Sequence, residues 1–255
     1  MKNIKKILLT MAMTMALGTS AFAASGFEFL FQLAGGAGAA IPNKEAKDLG
    51  FGTGLSFDAD ISAQIGYMFQ VKEGFGISVL GELGYSWDMY LTGIDGGTLS
   101  SNTTGGQTTY TVEGKDGISI AEYYHSFKLG LLPKFNIGVG RGAIALGIGG
   151  GVKIPVAGNY RMTIETVGSS TVKENVYSET EIALKRKDIT DMFSPSVIGY
   201  MKVTFDYYLF FTDNIGMNFG LYLGGDFMPK IKDVKYGYNS FDIGLQLGFR
   251  FGPKA

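Results

Sequence analysis

Hydrophobic and polar residues alternate along this chain with a period of two, over long stretches. From 51 to 70 the odd positions are Phe51, Thr53, Leu55, Phe57, Ala59, Ile61, Ala63, Ile65, Tyr67 and Phe69. The even positions are Gly52, Gly54, Ser56, Asp58, Asp60, Ser62, Gln64, Gly66, Met68 and Gln70. Successive side chains of a strand point to opposite faces, so this stretch predicts one strand with an apolar face and a polar or tiny face. Globular strands usually run about 5–6 residues. A strand of this length predicts a tilted membrane crossing with an extension beyond the bilayer.

The same pattern recurs over 75–91, 121–137, 143–156, 195–211, 215–228 and 241–251, and more weakly over 27–41. These make an even set of eight strands. Their connections alternate in length. Three are short: Val71 to Gly74, Gly138 to Gly142, and Thr212-Asp213-Asn214. Four are longer, near 42–50, 92–117, 157–192 and 232–239. Short turns at one end and long loops at the other are the plan of outer-membrane barrels, and an even strand count places both termini on the periplasmic side.

A membrane-spanning helix needs about 20 predominantly apolar residues. After the N-terminal segment no stretch qualifies: 96–112 is Gly, Thr and Ser, and 29–43 is broken by Gln, Pro and Gly. Entry into a bilayer therefore requires a closed barrel, the remaining structure that satisfies the backbone in lipid. A soluble barrel or sandwich, with the apolar face inside, fits the periodicity equally well. Strand length, loop asymmetry and the N-terminal segment weigh against it.

Composition sharpens the picture. The chain has 39 Gly, 19 Phe, 14 Tyr, 1 Trp, 1 His and no Cys, with 18% charged residues and a formal net charge of −1. Near-neutral charge without a basic block argues against nucleic-acid binding. The absence of Cys removes disulfides, thiolate metal sites and Cys nucleophiles. Residues 1–23 combine Lys2, Lys5 and Lys6, an apolar run from Ile7 to Leu17, and Ala21-Phe22-Ala23. That order predicts a cleaved bacterial export signal, with 24–255 forming a single barrel domain.

Parity assigns the two faces. The large apolar face meets lipid, with Tyr67, Phe69, Tyr85, Trp87, Tyr207, Phe211, Phe249 and Phe251 near strand ends as interfacial girdles. The other face lines a lumen just wide enough for side chains to fill. It is predicted to hold Glu28, Asp58, Asp60, Glu82, Asp88, Glu122, Asp206, Asp226 and Asp242, with Lys128, Lys153, Lys202, Lys230 and Arg250 as partners. Buried charges must be paired or wet, so an internal ion-pair network is expected, with the acid excess favouring water or cations inside.

The last strand carries Asp242, Gly244, Leu247 and Phe249 in the order polar, x, Gly, two residues, apolar, x, aromatic, followed by Arg250-Phe251 and then Gly252-Pro253-Lys254-Ala255. With the whole-chain pattern, this resembles the small eight-stranded outer-membrane β-barrel proteins, the group that includes the OmpA transmembrane domain, OmpX, OmpW and the opacity proteins. The resemblance implies an all-β, eight-stranded antiparallel up-and-down transmembrane barrel. It further implies a place in the bacterial outer membrane and recognition of the C-terminal strand by the barrel assembly machinery. The family usually ends on the aromatic residue, and the four extra residues depart from that.

Signals of chemistry are sparse. Some eight-stranded barrels modify lipid A through a His-x-Ser pair. Here His125-Ser126 puts Ser one position early, on the opposite face, and an interfacial His beside Tyr123 is the favoured reading. Gly35-Gly36-Ala37-Gly38 and Gly147 to Gly151 open no helix and lack a Gly-Lys-Ser/Thr ending, so they predict tight strand approach rather than phosphate binding. In the loop 157–192, Asn159–Val167 and Thr171–Leu184 predict a hairpin above the membrane, followed by Lys185-Arg186-Lys187-Asp188 and a short helical turn near Asp188–Phe193. The expected role is a non-enzymatic surface barrel without cofactor or metal, contacting lipid and presenting loops to a host or surface ligand. A narrow solute channel is the alternative, and a lipid-modifying enzyme a more remote one.

Overall fold

A computed structural model of the protein describes residues 25–95, 99–104, 107–112, 117–166, 176–232 and 235–254. Residues 1–23, for which the sequence predicts an export signal, lie outside the described residues. Strands β1 (Gly26–Pro42), β2 (Phe51–Lys72) and β3 (Phe75–Asp95) are followed by a small hairpin, β4 (Leu99–Thr104) and β5 (Gln107–Val112). Then come β6 (Gly117–Val139), β7 (Gly142–Thr166), β8 (Val176–Lys185), β9 (Phe193–Ser194), β10 (Ile198–Phe210), β11 (Ile215–Phe227), β12 (Lys230–Ile231) and β13 (Tyr238–Phe251). Two short helices, α1 (Lys44–Asp48) and α2 (Arg186–Met192), sit in connections.

Eight of the strands close a ring in the order β1-β2-β3-β6-β7-β10-β11-β13, and β13 returns to β1; every pairing is antiparallel. Each strand therefore pairs with neighbours on both sides and no barrel edge is left open, as lipid requires. Two of the tight turns use glycine in the left-handed region, Gly74 at φ 73° and Gly140 at φ 55°. A side chain there would strain the backbone. The start of β1 and the end of β13 lie at this turn end of the barrel. Gly252 N–H donates to the Asn214 carbonyl at 2.9 Å, and Gln70 N–H donates to Ser25 Oγ at 2.8 Å.

Parity holds through the wall. Burial along β13 alternates without exception, and β10 does nearly the same. The outward residues are large and apolar, among them Phe31, Ile61, Leu83, Phe127, Leu146, Phe205, Leu221 and Leu245. A continuous exposed band of this kind is a lipid-facing surface; on a water-soluble monomer it would far exceed the usual apolar patch. Aromatic contacts mark both margins. Phe27, Tyr67 and Phe69 stack near the turn end, and Trp87 with Tyr123 and Tyr85 with His125 meet near the loop end.

The barrel is taller on one side. β2, β3, β6 and β7 overrun the ring, and β7 turns into β8 to form the hairpin the alternation predicted, with Ala157 opposite Lys185 and Thr166 opposite Val176. On this extension the chemistry of the faces inverts. Ile94, Ile118 and Ile120 continue the inward parity of Asp88 and Glu122, while Gly93, Ser119 and Gly117 continue the outward one. In β7 the inversion needs a register shift opposite His125/Ser126, after which Tyr160, Met162 and Ile164 face inward and Arg161 faces outward. Arg161 there bridges Glu179 at 3.0 Å and Glu181 at 3.3 Å. The sign change marks where the outer surface passes from lipid to water.

A closed, fully hydrogen-bonded barrel resists detergent at room temperature. The folded chain is expected to migrate differently on gels before and after boiling, with a strand-rich circular dichroism spectrum. Solubility without detergent after removal of residues 1–23 would refute the lipid-facing assignment.

Candidate functional site: a filled lumen beneath an apolar cap

The inward face of the barrel carries a ladder of charges that can be followed from the turn end to the loop end. Lowest is Arg250, on β13. Its guanidinium lies 2.9 Å from Glu28 and 4.4 Å from the centre of the Tyr208 ring, and donates to the Pro253 carbonyl at 3.0 Å. Ser78 donates to Glu28, and Asn136 donates to Ser78 at 2.8 Å. One step up, Lys134 pairs with Asp206 at 2.9 Å and donates to Tyr208 Oη at 3.1 Å, while Thr204 and Gln246 also donate to Asp206.

At mid-barrel, Glu82 is the hub. Lys202 lies 2.8 Å away and Lys128 3.5 Å away; Tyr200 donates to it at 2.7 Å, and Gln64 at 3.2 Å. Lys128 also pairs with Asp60 at 2.7 Å. Above this, Lys153 bridges Asp88 and Asp226, each at 2.7 Å, and Tyr90 donates to Asp226 at 2.6 Å. These side chains are essentially inaccessible to solvent. In such surroundings a charge survives only when paired and hydrogen-bonded, and removing one partner costs more than the pair contributes.

Three lumenal carboxylates lack a cation within bridging distance and are held by hydroxyls instead. Tyr222 donates to Asp58, Ser56 and Ser240 donate to Asp242, and Tyr124 donates to Glu122 at 2.6 Å. The tyrosine rings fit because the neighbouring strands are bare beneath them. A Cβ on Gly130 would lie 2.0 Å from Tyr200 Oη, and one on Gly244 would lie 2.4 Å from the Tyr222 ring. The Gly147–Gly151 cluster also lies in strands: Cβ atoms on Gly149 and Gly151 would collide with the carbonyls of Leu131 and Leu129, so these glycines let β6 and β7 approach closely.

The lumen retains a cavity of about 30 Å³ lined by Asp58, Asp60, Lys128, Lys153, Tyr200, Lys202, Tyr222, Asp226 and Asp242. One water requires roughly 10–15 Å³ by this kind of measure, so the space suits water rather than a diffusing solute. Asp58 Oδ1 and Asp60 Oδ1 have no protein partner there. Among the described residues no three His, Cys, Asp or Glu side chains converge as metal ligands.

At the loop end the lining changes from charged to apolar. Tyr90, Tyr124 and Tyr238 pack with Ala40, Ala46, Leu184, Ile189, Phe193, Ile198, Met228 and Tyr236 into one buried cluster. Besides the ends of barrel strands, its members come from α1, from β8, α2 and β9, and from the return loop before β13, so three separate connections meet over the mouth. Arg186 fastens the cap: its guanidinium donates to the carbonyls of Pro155 at 3.1 Å and Ser196 at 2.6 Å, and to Ser196 Oγ at 3.1 Å. Asn43 caps α1 through the Ala46 N–H at 2.9 Å and reaches the Lys235 carbonyl at 2.8 Å.

Most of the lumenal residues read from the sequence are inside, with one exchange. Lys230 is exposed in β12, beyond the barrel wall, and does not pair with a lumenal acid; Lys134, on the polar face of β6, takes that place opposite Asp206. The parity rule fails at Lys230 because the residue follows the end of β11, where alternation no longer reports a face. His125 is on the outer face, with Nδ1 2.7 Å from Tyr85 Oη, whereas Ser126 is fully buried on the lumen side. The two are not juxtaposed, and no carboxylate pairs with His125 among the described residues. Sequence reasoning missed the apolar cap. Its signal was the density of Tyr, Phe and Met in the loops and at the loop-end margins of the strands: Phe193, Met228, Tyr236 and Tyr238.

The closed ring, the outward apolar band and the filled polar lumen together decide the architecture. The chain has the fold of the small eight-stranded outer-membrane β-barrels. No protein-family model matches it, and no curated protein does. Among solved structures it is similar to Neisserial surface protein A (11% identity, 89% of this chain and 99% of that chain, TM-score 0.36). It is also similar to the outer membrane protease OmpT of Escherichia coli (9% identity, 92% and 99%, TM-score 0.39) and to Ail, the attachment invasion locus protein of Yersinia pestis (11% identity, 90% and 100%, TM-score 0.27). At these identities the likenesses carry no activity over to this barrel.

Removing one partner of the deepest ion pair tests the lumen. Lys134→Met is expected to destabilise the detergent-folded barrel by about 3–5 kcal/mol, because Asp206 is left buried without a cation. The double variant Lys134→Met/Asp206→Leu is expected to recover most of that loss in denaturant unfolding. A single variant as stable as the parent would mean the pair is not buried as described.

Proposed function

We propose that the protein is a plugged surface barrel of the bacterial outer membrane, which anchors and presents an extracellular platform and performs no chemistry of its own. The observation that carries this reading is the continuous filling of the bore: interlocked charges from Arg250 to Lys153, then the aromatic cap held by Arg186. A channel needs a conductive path and an enzyme needs converging reactive groups. The lumenal carboxylates are engaged by lysines, Arg250 and hydroxyls, and the one histidine faces outward toward Tyr85. What projects beyond the cap is the tall β7–β8 hairpin, with polar side chains on its outer face, offered to whatever ligand the loops meet.

The reading separates from a transport role by electrophysiology. In planar bilayers the parent barrel is expected to be electrically silent. Arg186→Ala, which frees the cap from Pro155 and Ser196 without touching the lumenal ion pairs, is expected to introduce brief openings and to expose the segment around α2 to protease. Reproducible conductance steps in the parent would replace the anchor reading with the channel one.

A further inference from the structure

Three connections that meet over the low side of the barrel are unlike the rest of the surface in charge. α1 carries Lys44 and Lys47, the entry to α2 carries Lys185, Arg186 and Lys187, and the return loop carries Lys230, Lys232 and Lys235. Across 43–50, 185–193 and 228–237 these eight cations face five carboxylates, although the whole chain has a net charge of −1. Two of those carboxylates are engaged locally: Asp48 pairs with Lys44 at 2.7 Å, and Asp188 accepts from the Lys185 N–H at 2.8 Å.

The three segments form one surface. Asn43 N–H donates to the Gly237 carbonyl and Lys232 N–H to the Met192 carbonyl, each at 2.9 Å, and β9 pairs with β12. Ala46, Ile189 and Met228 share the buried cap beneath them. The cations are thus carried on a packed framework rather than on independent loops, and the entropy of gathering them is already spent in folding.

The height of this surface follows from the strands below it. On the low side the lipid-facing band ends at Ile41, Phe227 and Phe241, which are 42%, 51% and 55% exposed. Lys44 and Lys230 follow Ile41 and Phe227 by three residues each. Three residues span at most about 10 Å, and the polar zone of a bilayer adds roughly 5–8 Å to each side of its hydrocarbon. The basic surface therefore starts within the headgroup layer of the outer leaflet. The tall side differs: among the described residues, Arg161 on its outer face is spent on Glu179 and Glu181.

We propose that this basic collar is a lipid-binding site, and that it holds the anionic phosphate groups of outer-leaflet lipid headgroups against the low rim of the barrel. Lys47, Lys187 and Lys230 are its free contacts: all are exposed, and none of their side chains is engaged within the protein among the described residues. The site depends on the membrane orientation of the barrel and is independent of whether the lumen conducts or the loops bind a further ligand.

The test uses the folded full-length barrel, reconstituted in phosphatidylcholine vesicles containing a minor fraction of phosphatidylglycerol, then extracted in mild detergent with the retained lipid measured by mass spectrometry. Phosphatidylglycerol is expected to be enriched over its bulk fraction, and the enrichment to fall by about fivefold for each cation removed and to weaken with salt. The variant Lys47→Glu/Lys187→Glu/Lys230→Glu is expected to abolish it while keeping the heat-dependent gel mobility of the folded barrel. Glu179→Gln/Glu181→Gln on the tall side is expected to leave it unchanged. Equal retention of both lipids, or enrichment that survives the triple reversal, would overturn the proposal. Displacement of the lipid by millimolar inorganic phosphate, beyond that caused by sodium chloride at the same ionic strength, would overturn the lipid as the source and assign the collar to free phosphate.

Discussion

The constraint on which this structure depends is that hydrocarbon offers no partner for a backbone amide or carbonyl. A sheet in lipid must therefore close on itself, and β7–β10 and β13–β1 are the pairings that complete the circle. Closure at eight strands then fixes the rest. The bore is narrow enough for side chains to fill, while the outward residues are reserved for lipid by the same alternation. Polar residues have nowhere to go but inside. The low net charge of the chain thus conceals a dense set of charges whose positions the backbone dictates.

Those charges are tolerated through geometry rather than numbers. Nine carboxylates face five cations in the lumen, and burying even one ion without a partner is expensive. Two solutions recur. Lysines are shared, as Lys153 is between Asp88 and Asp226 and Lys128 between Asp60 and Glu82. Hydroxyls serve the remainder, as Tyr222 on β11 does for Asp58 on β2 and Tyr124 does for Glu122 on its own strand. The second solution needs long side chains laid along the inner wall, which in turn needs bare neighbouring strands beneath them. The high glycine content has this physical reason: Gly130 and Gly244 are where rings come to rest. Lys134→Met probes the first solution directly, since Asp206 has no second cation to share.

Period-two alternation, even without relatives, was enough to recover the strands, their faces and the unequal connections, because within a barrel wall each residue has one of two environments. It located the acids of the lumen correctly. It erred at Lys230, and it gave no account of the cap, for a common cause. Beyond the ends of the strands the two-environment rule lapses, and burial is set by which loops fold over which. Phe193, Met228 and Tyr236 are ordinary loop residues by position and are buried only because three connections converge. The register shift opposite His125/Ser126 was equally invisible, since it displaces a pairing without breaking the local alternation of β6.

The inversion of polarity on the tall side connects these observations. Along β3 and β6 the parity never changes, yet the inward residues pass from Asp88 and Glu122 to Ile94 and Ile118, and the outward ones from Met89 and Tyr123 to Gly93 and Ser119. Below the crossing, the outside is oil and the inside must carry the polar groups. Above it, the outside is water and the inside packs against a cap. A strand can serve both regimes only if its sequence swaps faces at the membrane surface, and β7 achieves the same end by slipping one residue at Pro155–Ala157. The cap belongs at this level for the same reason: it lets the charged lumen end against an apolar lid rather than against solvent, so the ion pairs beneath keep the low dielectric that makes them strong. On the low side no strand rises past the crossing, and the connections there leave the lipid boundary directly, with lysines in their first turns.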